Sequence, residues 1–432
     1  MNVQYRRMEW KRWARRVLVD VTPLRRSRDL RALVAGQAVS VLGSQMTALA
    51  VPYQVYELTR SSLAVGLVSL AMLPTSLIGA LLGGAVADAT DRRRLLLIVS
   101  ALAAATSAAL ALNASSAPAL WPLFVVPALA AGLGTVEDSA MGALVPNLVR
   151  PDELPAANAI FQAVFQVGLV FGPALAGLLV AAAGARMVFS VDAASFAAAA
   201  LAAWVMRPQS PGVGVSRADR RLPSILDGLR FLKGRQAVQG ALAMDVNATV
   251  LGMPRALFPA ITASTFGGGA ATLGLLYAAP GAGALAGALS SGWVSRIDSP
   301  GRAVIVAVVV WGLAIAAFGL TPWLPGALVL LALAGFADVI SAVLRSTIVQ
   351  LAVPDSLRGR LTGLYSALVT GAPRLGDLEA GAVATAFGDT FSVVSGGLGC
   401  VAGALIIARL LPGLCRRRST SRRLEPPRDR QG

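Results

Sequence analysis

Apolar runs long enough to span a bilayer recur along this chain from residue 32 to residue 411. A helix needs about 20 such residues to cross ~30 Å of hydrocarbon. Twelve runs are read, at 32–56, 63–87, 95–113, 120–147, 158–182, 187–206, 236–262, 271–294, 303–321, 324–350, 361–387 and 391–411. Each must be helical, because an open strand edge in lipid leaves backbone groups without partners. Composition agrees: 56% of the 432 residues are apolar and 14% charged, against ~45–50% and ~25% in a soluble domain. That excludes an ordinary soluble enzyme and a disordered chain. The predicted fold class is an all-α membrane protein with twelve transmembrane helices. The 44 glycines suit close helix approach, with Gly79–Gly83 and Gly168–Gly172 as small-xxx-small pairs. Histidine is absent, so no imidazole carries protons, ligates a metal or activates a nucleophile.

Basic residues give the expected orientation. With both termini in the cytoplasm, 32 of the 38 Lys and Arg residues fall in cytoplasmic segments. The outside loops hold Arg60 and Arg186, and the spans hold Arg255, Arg345, Arg374 and Arg409. This asymmetry follows the positive-inside rule. It accounts for the net charge of +16 through anionic lipid rather than nucleic acid. Near the N-terminus, Trp10, Trp13, Val17 and Leu18 recur at helical spacing among Lys11, Arg12, Arg15 and Arg16. That pattern suits a helix lying on the membrane; a disordered basic tail is the alternative. No apolar run directly follows these charges, so no cleavable signal is expected. Cys400 and Cys415, ~22 Å apart along one helix, are too distant for a disulfide.

The widest polar gap, 207–235, holds Pro208, Pro211, Gly212 and Gly214 and divides the spans six and six. The expected organisation is a basic cytoplasmic segment (1–31), a six-helix half (32–206), a central cytoplasmic loop (207–235), a second half (236–411) and a basic tail (412–432). Within the loop, Ile225, Leu226, Leu229 and Leu232 suggest a short surface helix over Leu222–Arg235. The halves repeat weakly. Pro151-Asp152-Glu153-Leu154 and Pro354-Asp355-Ser356-Leu357 follow spans four and ten at an offset that also pairs Gly84 with Gly287 and Pro173 with Gly376. Transporters built from such halves hold substrate near the midplane between them.

Two motifs carry more. The loop after span two reads Gly84-Ala85-Val86-Ala87-Asp88-Ala89-Thr90-Asp91-Arg92-Arg93-Arg94. Through Gly84, Asp88, Arg92 and Arg93 it resembles the signature cytoplasmic loop of the major facilitator superfamily. Ala89 and Asp91 depart from that pattern, and Asp91 can add a charge contact of its own. Span five carries Gly168, Gly172, Pro173 and Gly177, which resemble the superfamily's antiporter signature. Pro173 removes a backbone donor and bends the helix. A more specific likeness rests on Ala50-Val51-Pro52-Tyr53-Gln54, Val65-Gly66-Leu67, Leu276-Tyr277-Ala278-Ala279, Gly287–Gly292, Gly359-Arg360 and Gly363-Leu364. These are similar to the enterobactin (siderophore) exporter branch and its macrolide-efflux relatives. The resemblance implies two pseudo-symmetric six-helix halves, with Asp88 capping the start of span eleven as a cytoplasmic latch. A carboxylate there is worth ~0.3–1 kcal/mol, weak enough to break in each cycle.

Ionisable groups inside a membrane are costly and mark function. The acids are Glu137 and Asp138 in span four, Asp192 in six, Asp245 in seven, Asp338 in ten, and Asp377 and Glu379 in eleven. The bases Arg255, Arg345 and Arg374 lie nearest a central cavity by the superfamily arrangement. Asp192, on a peripheral span, is expected to make a local polar contact. Asp338 and Arg345 are two turns apart on one face, and Arg374 and Asp377 are spaced to pair directly. Asp138, Asp245 and Glu137 are the candidate proton carriers, since an unpaired carboxylate in a low dielectric can load and release a proton. Arg255, Asp338, Arg345, Arg374, Asp377 and Glu379 are the candidate substrate charges. Three arginines suit an anionic or hydroxyl-rich ligand.

The expected function is a proton-coupled exporter in the bacterial inner membrane, moving an amphipathic, siderophore-like small molecule by alternating access. Macrolide or multidrug antiport differs only in ligand; a non-transporting sensor or scaffold is the alternative of another class. No nucleophile–base set, metal cluster or phosphate-cradling Gly-Lys loop is present, so neither an enzyme, a cofactor nor ATP is expected. The partners expected are substrate, protons and lipid, with the chain as a monomer.

Overall fold

The structure, a computed structural model, describes residues 20–115, 117–208, 234–352 and 358–416. The Trp10–Leu18 stripe, residues 222–233 of the expected Leu222–Arg235 surface helix and the Pro354–Leu357 repeat lie outside the described residues, as do the side chains of 358–364.

Spans one to four are the helices Arg28–Thr59, Ser62–Ala89, Arg92–Asn113 and Pro122–Leu148. Polar caps begin three of them. Ser27 accepts from Leu30 N at 3.1 Å, Ser61 from Ala64 N at 3.3 Å and Asp91 from Arg93 N at 2.9 Å, satisfying donors that a helix start leaves open. Spans five and six form one helical stretch, Leu154–Val205, broken at Gly184, whose φ is +76°. That backbone suits glycine and reverses the chain. A Cβ at Gly168 or Gly172 would meet Val41 or Gln45 of span one, so span five runs parallel to it; Gly36 and Gly43 meet Ala199 and Ser195, so span six returns antiparallel.

Span seven departs from the sequence expectation of a single helix over 236–262. It runs as Gln236–Leu251, breaks at Gly252–Pro254, and resumes through a 3-10 turn, Arg255–Leu257, into Phe258–Ser264. Gly and Pro together end the first helix. Spans eight to twelve are Ala270–Ser290, Pro300–Leu320, Leu324–Ala352, Arg358–Phe387 and Asp389–Leu410. Nine helices among the described residues are long and apolar enough to cross a membrane, one of them the double stretch of spans five and six. The two passes not among them are the broken span seven and span eleven, which carries Arg374, Asp377 and Glu379.

The loop at Arg60–Ser61 marks one end of the bundle, the far end. The loops carrying Arg92–Arg94 and Arg150 mark the other, the basic end. At the basic end Arg26 of the short helix Thr22–Arg26 pairs with Glu153 at 2.6 Å, tying the chain's entry to the start of span five.

Candidate functional site

The break in span seven is a built feature. Its freed carbonyls need partners, because no water reaches them in a membrane. Trp311 of span nine donates its indole N–H to Gly252 O at 2.9 Å, and Tyr277 of span eight donates its hydroxyl to Arg255 O at 3.1 Å. Phe258 packs edge-on against Tyr277 with ring centroids 5.1 Å apart. The break thus fixes Arg255 on a non-helical turn. Arg255 is partly exposed and makes no side-chain hydrogen bond or ion pair among the described residues. It lies within electrostatic range of Asp338 and Asp377.

Below the break, Arg345 of span ten donates from Nη2 to Asp245 Oδ1 of span seven at 2.5 Å and stands 3.8 Å from Asp338 Oδ1. Its Nη1 donates to Ser341 Oγ at 2.7 Å. Asp245 and Arg345 are buried, while the Asp338 side chain keeps 35% of its exposure. One guanidinium therefore serves two carboxylates, the nearer from another span. A buried pair of this kind is costly to assemble and costlier to break, at ~3–5 kcal/mol when one partner is removed.

Two helix pairs join the halves towards the far end. Span two meets span eleven. Ser69 donates to Asp377 Oδ2 at 2.5 Å, and Arg374 donates to Ser76 Oγ at 2.6 Å and to Met72 O; beside them Ser62 donates to Asp389 Oδ1, at the start of span twelve, at 3.1 Å. The expected Arg374–Asp377 pair is not made: each side chain turns to span two, where the Met72 carbonyl and two serines offer partners across the interface. Span five meets span eight backbone to backbone. A Cβ on Gly177 would lie 2.6 Å from Ala270 O, and one on Gly274 2.8 Å from Pro173 O. The antiporter-like motif thus has two faces: Gly168 and Gly172 seat span one, while Pro173 and Gly177 seat span eight.

Span four faces inward with one sector. At about 100° per residue, Gly132, Thr135 and Ser139 meet span two through Gly79 and Gly83. Ala140 and Leu144 pack with Leu95, Leu96 and Val99 of span three. Glu137 and Met141 line a crevice with Leu33, Gly36 and Gln37 of span one. The sector left over, Gly134, Asp138 and Gly142, lies between spans one and two, both of which border the second half. Asp138 is exposed there, and a Cβ on either glycine would meet nothing within 4 Å. Glu137 is therefore turned away from Asp138, and Glu379 stands about 200° around its helix from Asp377. Asp192 makes the local contact expected of it, accepting from Thr47 and Ser107 at 2.7 Å each.

At the basic end the loop motif works within its own half. Arg92 donates to Ala143 O at 2.8 Å, and Arg93 to Ala203 O at 3.1 Å and to Trp204 O. The two cations cover the C-terminal carbonyls of spans four and six, where the helix dipole favours positive charge. Asp91 caps span three. Gly84 and Asp88 are exposed; a Cβ on Gly84 would meet nothing within 4 Å, and Asp88 has no partner among the described residues. The residues preceding span eleven, its expected partner, lie outside the described ones.

Of the three expected arginines, the structure leaves Arg255 uncommitted; Arg345 is held by two acids and Arg374 by span two. Sequence reasoning missed Ser69, Ser76 and Trp311, polar groups whose partners lie far along the chain, and Ser341, one turn from Arg345; it named Tyr277 only within the resemblance. Gly252-Met253-Pro254 was the available signal for the break. Among the described residues no His, Cys, Asp and Glu group could hold a metal, and Cys400 and Cys415 are free thiols.

The chain matches the transmembrane secretion effector family over residues 19–428. It is 30% identical over 401 residues to the enterobactin exporter EntS of Citrobacter koseri, covering 92% of this chain and 95% of that one. It is 28% identical over 405 residues to the enterobactin exporter EntS of Escherichia coli O1:K1, covering 93% and 96%. Among solved structures it superposes on a POT family transporter in complex with 5-aminolevulinic acid with a TM-score of 0.70, at 13% identity, over 90% of this chain and 97% of that one. That likeness speaks for the fold alone. The family and these relatives are transporters rather than enzymes. With twelve passes, a far-end contact between helix pairs and this match across nearly its whole length, the chain is a membrane transporter of the major facilitator superfamily and belongs to its transmembrane secretion effector family.

Proposed function

We propose that this transporter is a secondary exporter of an amphipathic, siderophore-like small molecule, driven by protons through alternating access across a bacterial inner membrane. The observation that carries the reading is the asymmetry between the bundle's ends. Spans two and eleven, and five and eight, are joined towards the far end, while Gly84 and Asp88 stand open at the basic end. The excess of basic residues at that end supports a cytoplasmic basic end, with both termini there. The conformation is then inward-facing, ready to load from inside. In this scheme Asp88 latches against span eleven when the cytoplasmic side closes. Asp245, buried and held by Arg345, exchanges the proton, with Asp338 as the second carboxylate that Arg345 can serve. The sign of coupling follows: protonating Asp245 frees Arg345 for Asp338, a change of partner one proton can drive.

The test is efflux in cells lacking their own siderophore and macrolide exporters. Export of siderophore that stops with a protonophore and in Arg345→Ala is expected. Export that survives the protonophore overturns proton coupling. Export of a macrolide but not of the siderophore moves the ligand to drug efflux. Full tolerance of Asp88→Asn, with no export of either compound, leaves a membrane scaffold.

A further inference from the structure

Charge in the central cavity is divided unevenly between the halves. In the second half Arg345 is held by Asp245 at 2.5 Å with Asp338 at 3.8 Å. Arg374 donates to Ser76 and Met72, and Arg255 lies in the field of Asp338 and Asp377. With Glu379 turned about 200° around its helix from Asp377, three bases face three acids, so that wall is close to neutral. The first half sets Asp138 opposite, exposed in the inward sector of span four, with no ion-pair partner among the described residues. Its half keeps its basic residues Arg60, Arg92, Arg93, Arg94, Arg150 and Arg186 in loops or at helix ends. One turn to either side, Gly134 and Gly142 leave open space.

We propose that the cavity selects a cation-bearing amphiphile, with Asp138 as the counter-charge and the trough beside Gly134 and Gly142 seating the ligand's apolar body. This rests on the export reading and reverses the sign of ligand that three arginines suggest. An anion entering here meets an uncompensated carboxylate, and Arg255, the arginine without a direct partner, already lies in the field of two acids, Asp338 and Asp377. A cation meets a carboxylate that is exposed there and has no base paired with it among the described residues. Asp138 is thus a specificity-determining residue, and a siderophore carried by this protein bears a free amine or comparable positive group.

The experiment is binding of tetraphenylphosphonium and tetraphenylborate, ions of one shape and opposite charge, to the purified full-length chain in neutral detergent, with empty micelles subtracted. The phosphonium is expected to bind about two- to fivefold tighter, the worth of one partly exposed ion pair. Asp138→Asn removes the preference and Asp138→Glu restores it. Equal binding, a preference for the borate, or a cation preference untouched by Asp138→Asn overturns the assignment. Efflux of both ions from cells separates the two readings. Efflux without charge preference keeps the exporter and removes the cation site. A cation preference in binding without any efflux keeps the site and removes the exporter.

Discussion

The two helix pairs that close the far end occupy equivalent places in the halves yet hold together by different chemistry. Spans five and eight meet through bare backbone at Gly177 and Gly274, with Pro173 O and Ala270 O against the missing side chains. Their attraction is close packing of small residues, which no proton alters. Spans two and eleven also approach closely, at Gly66 and Gly381, but further along the same interface, away from the far end, lie Ser69–Asp377 and Ser76–Arg374. Each such bond can be exchanged for water when the halves part, at a net cost near 1 kcal/mol, or ~1.5–3 with a charged partner. The first contact is suited to act as a pivot and the second as a clasp.

The largest expected effect breaks the pivot. Gly274→Val drives a branched side chain into Pro173 O and the Gly177 backbone, where no flexible group can yield, at ~3 kcal/mol or more. Far-end closure is lost, and spin labels on the far ends of spans five and eight move apart. An unchanged distance distribution would mean the pair does not set the closed state. Next comes the clasp. Arg374→Met gives up the bonds to Ser76 and Met72, weakening far-end closure by ~1.5–3 kcal/mol. Labels on spans two and eleven should then separate while those on five and eight stay; separation of both pairs together would erase the distinction. The smallest effect is Ser69→Ala, ~0.5–1.5 kcal/mol, because Asp377 keeps the Ala256 backbone N–H. It should raise labelling of a far-end cysteine only slightly.

How much of this was legible beforehand differs from place to place. Hydropathy reads apolarity, so it located span seven but not its break, which depends on carbonyls that Trp311 and Tyr277 later satisfy. The loop motif was readable as a motif, yet its arginines serve the ends of spans four and six within their own half. Local spacing was a poor guide to ion pairs. Arg374 and Asp377 sit at pairing distance along the helix, but partners on span two prevail. Arg345 finds its shortest contact in Asp245, a hundred residues away. Asp192 was read correctly as a local contact, although its hydroxyl partners come from spans one and three.

The sequence by itself determined the passes, the helical class and the basic asymmetry. These depend on transfer of each segment between water and lipid, a property of composition along some twenty residues. Only the tertiary structure decided which charges are spent. Whether an arginine is free for a ligand depends on which carboxylates and carbonyls other spans bring within ~4 Å, and that is a matter of packing. Hence three arginines suggest an anion on paper. In the folded chain two of them are committed, and Asp138 is left exposed without an ion-pair partner among the described residues.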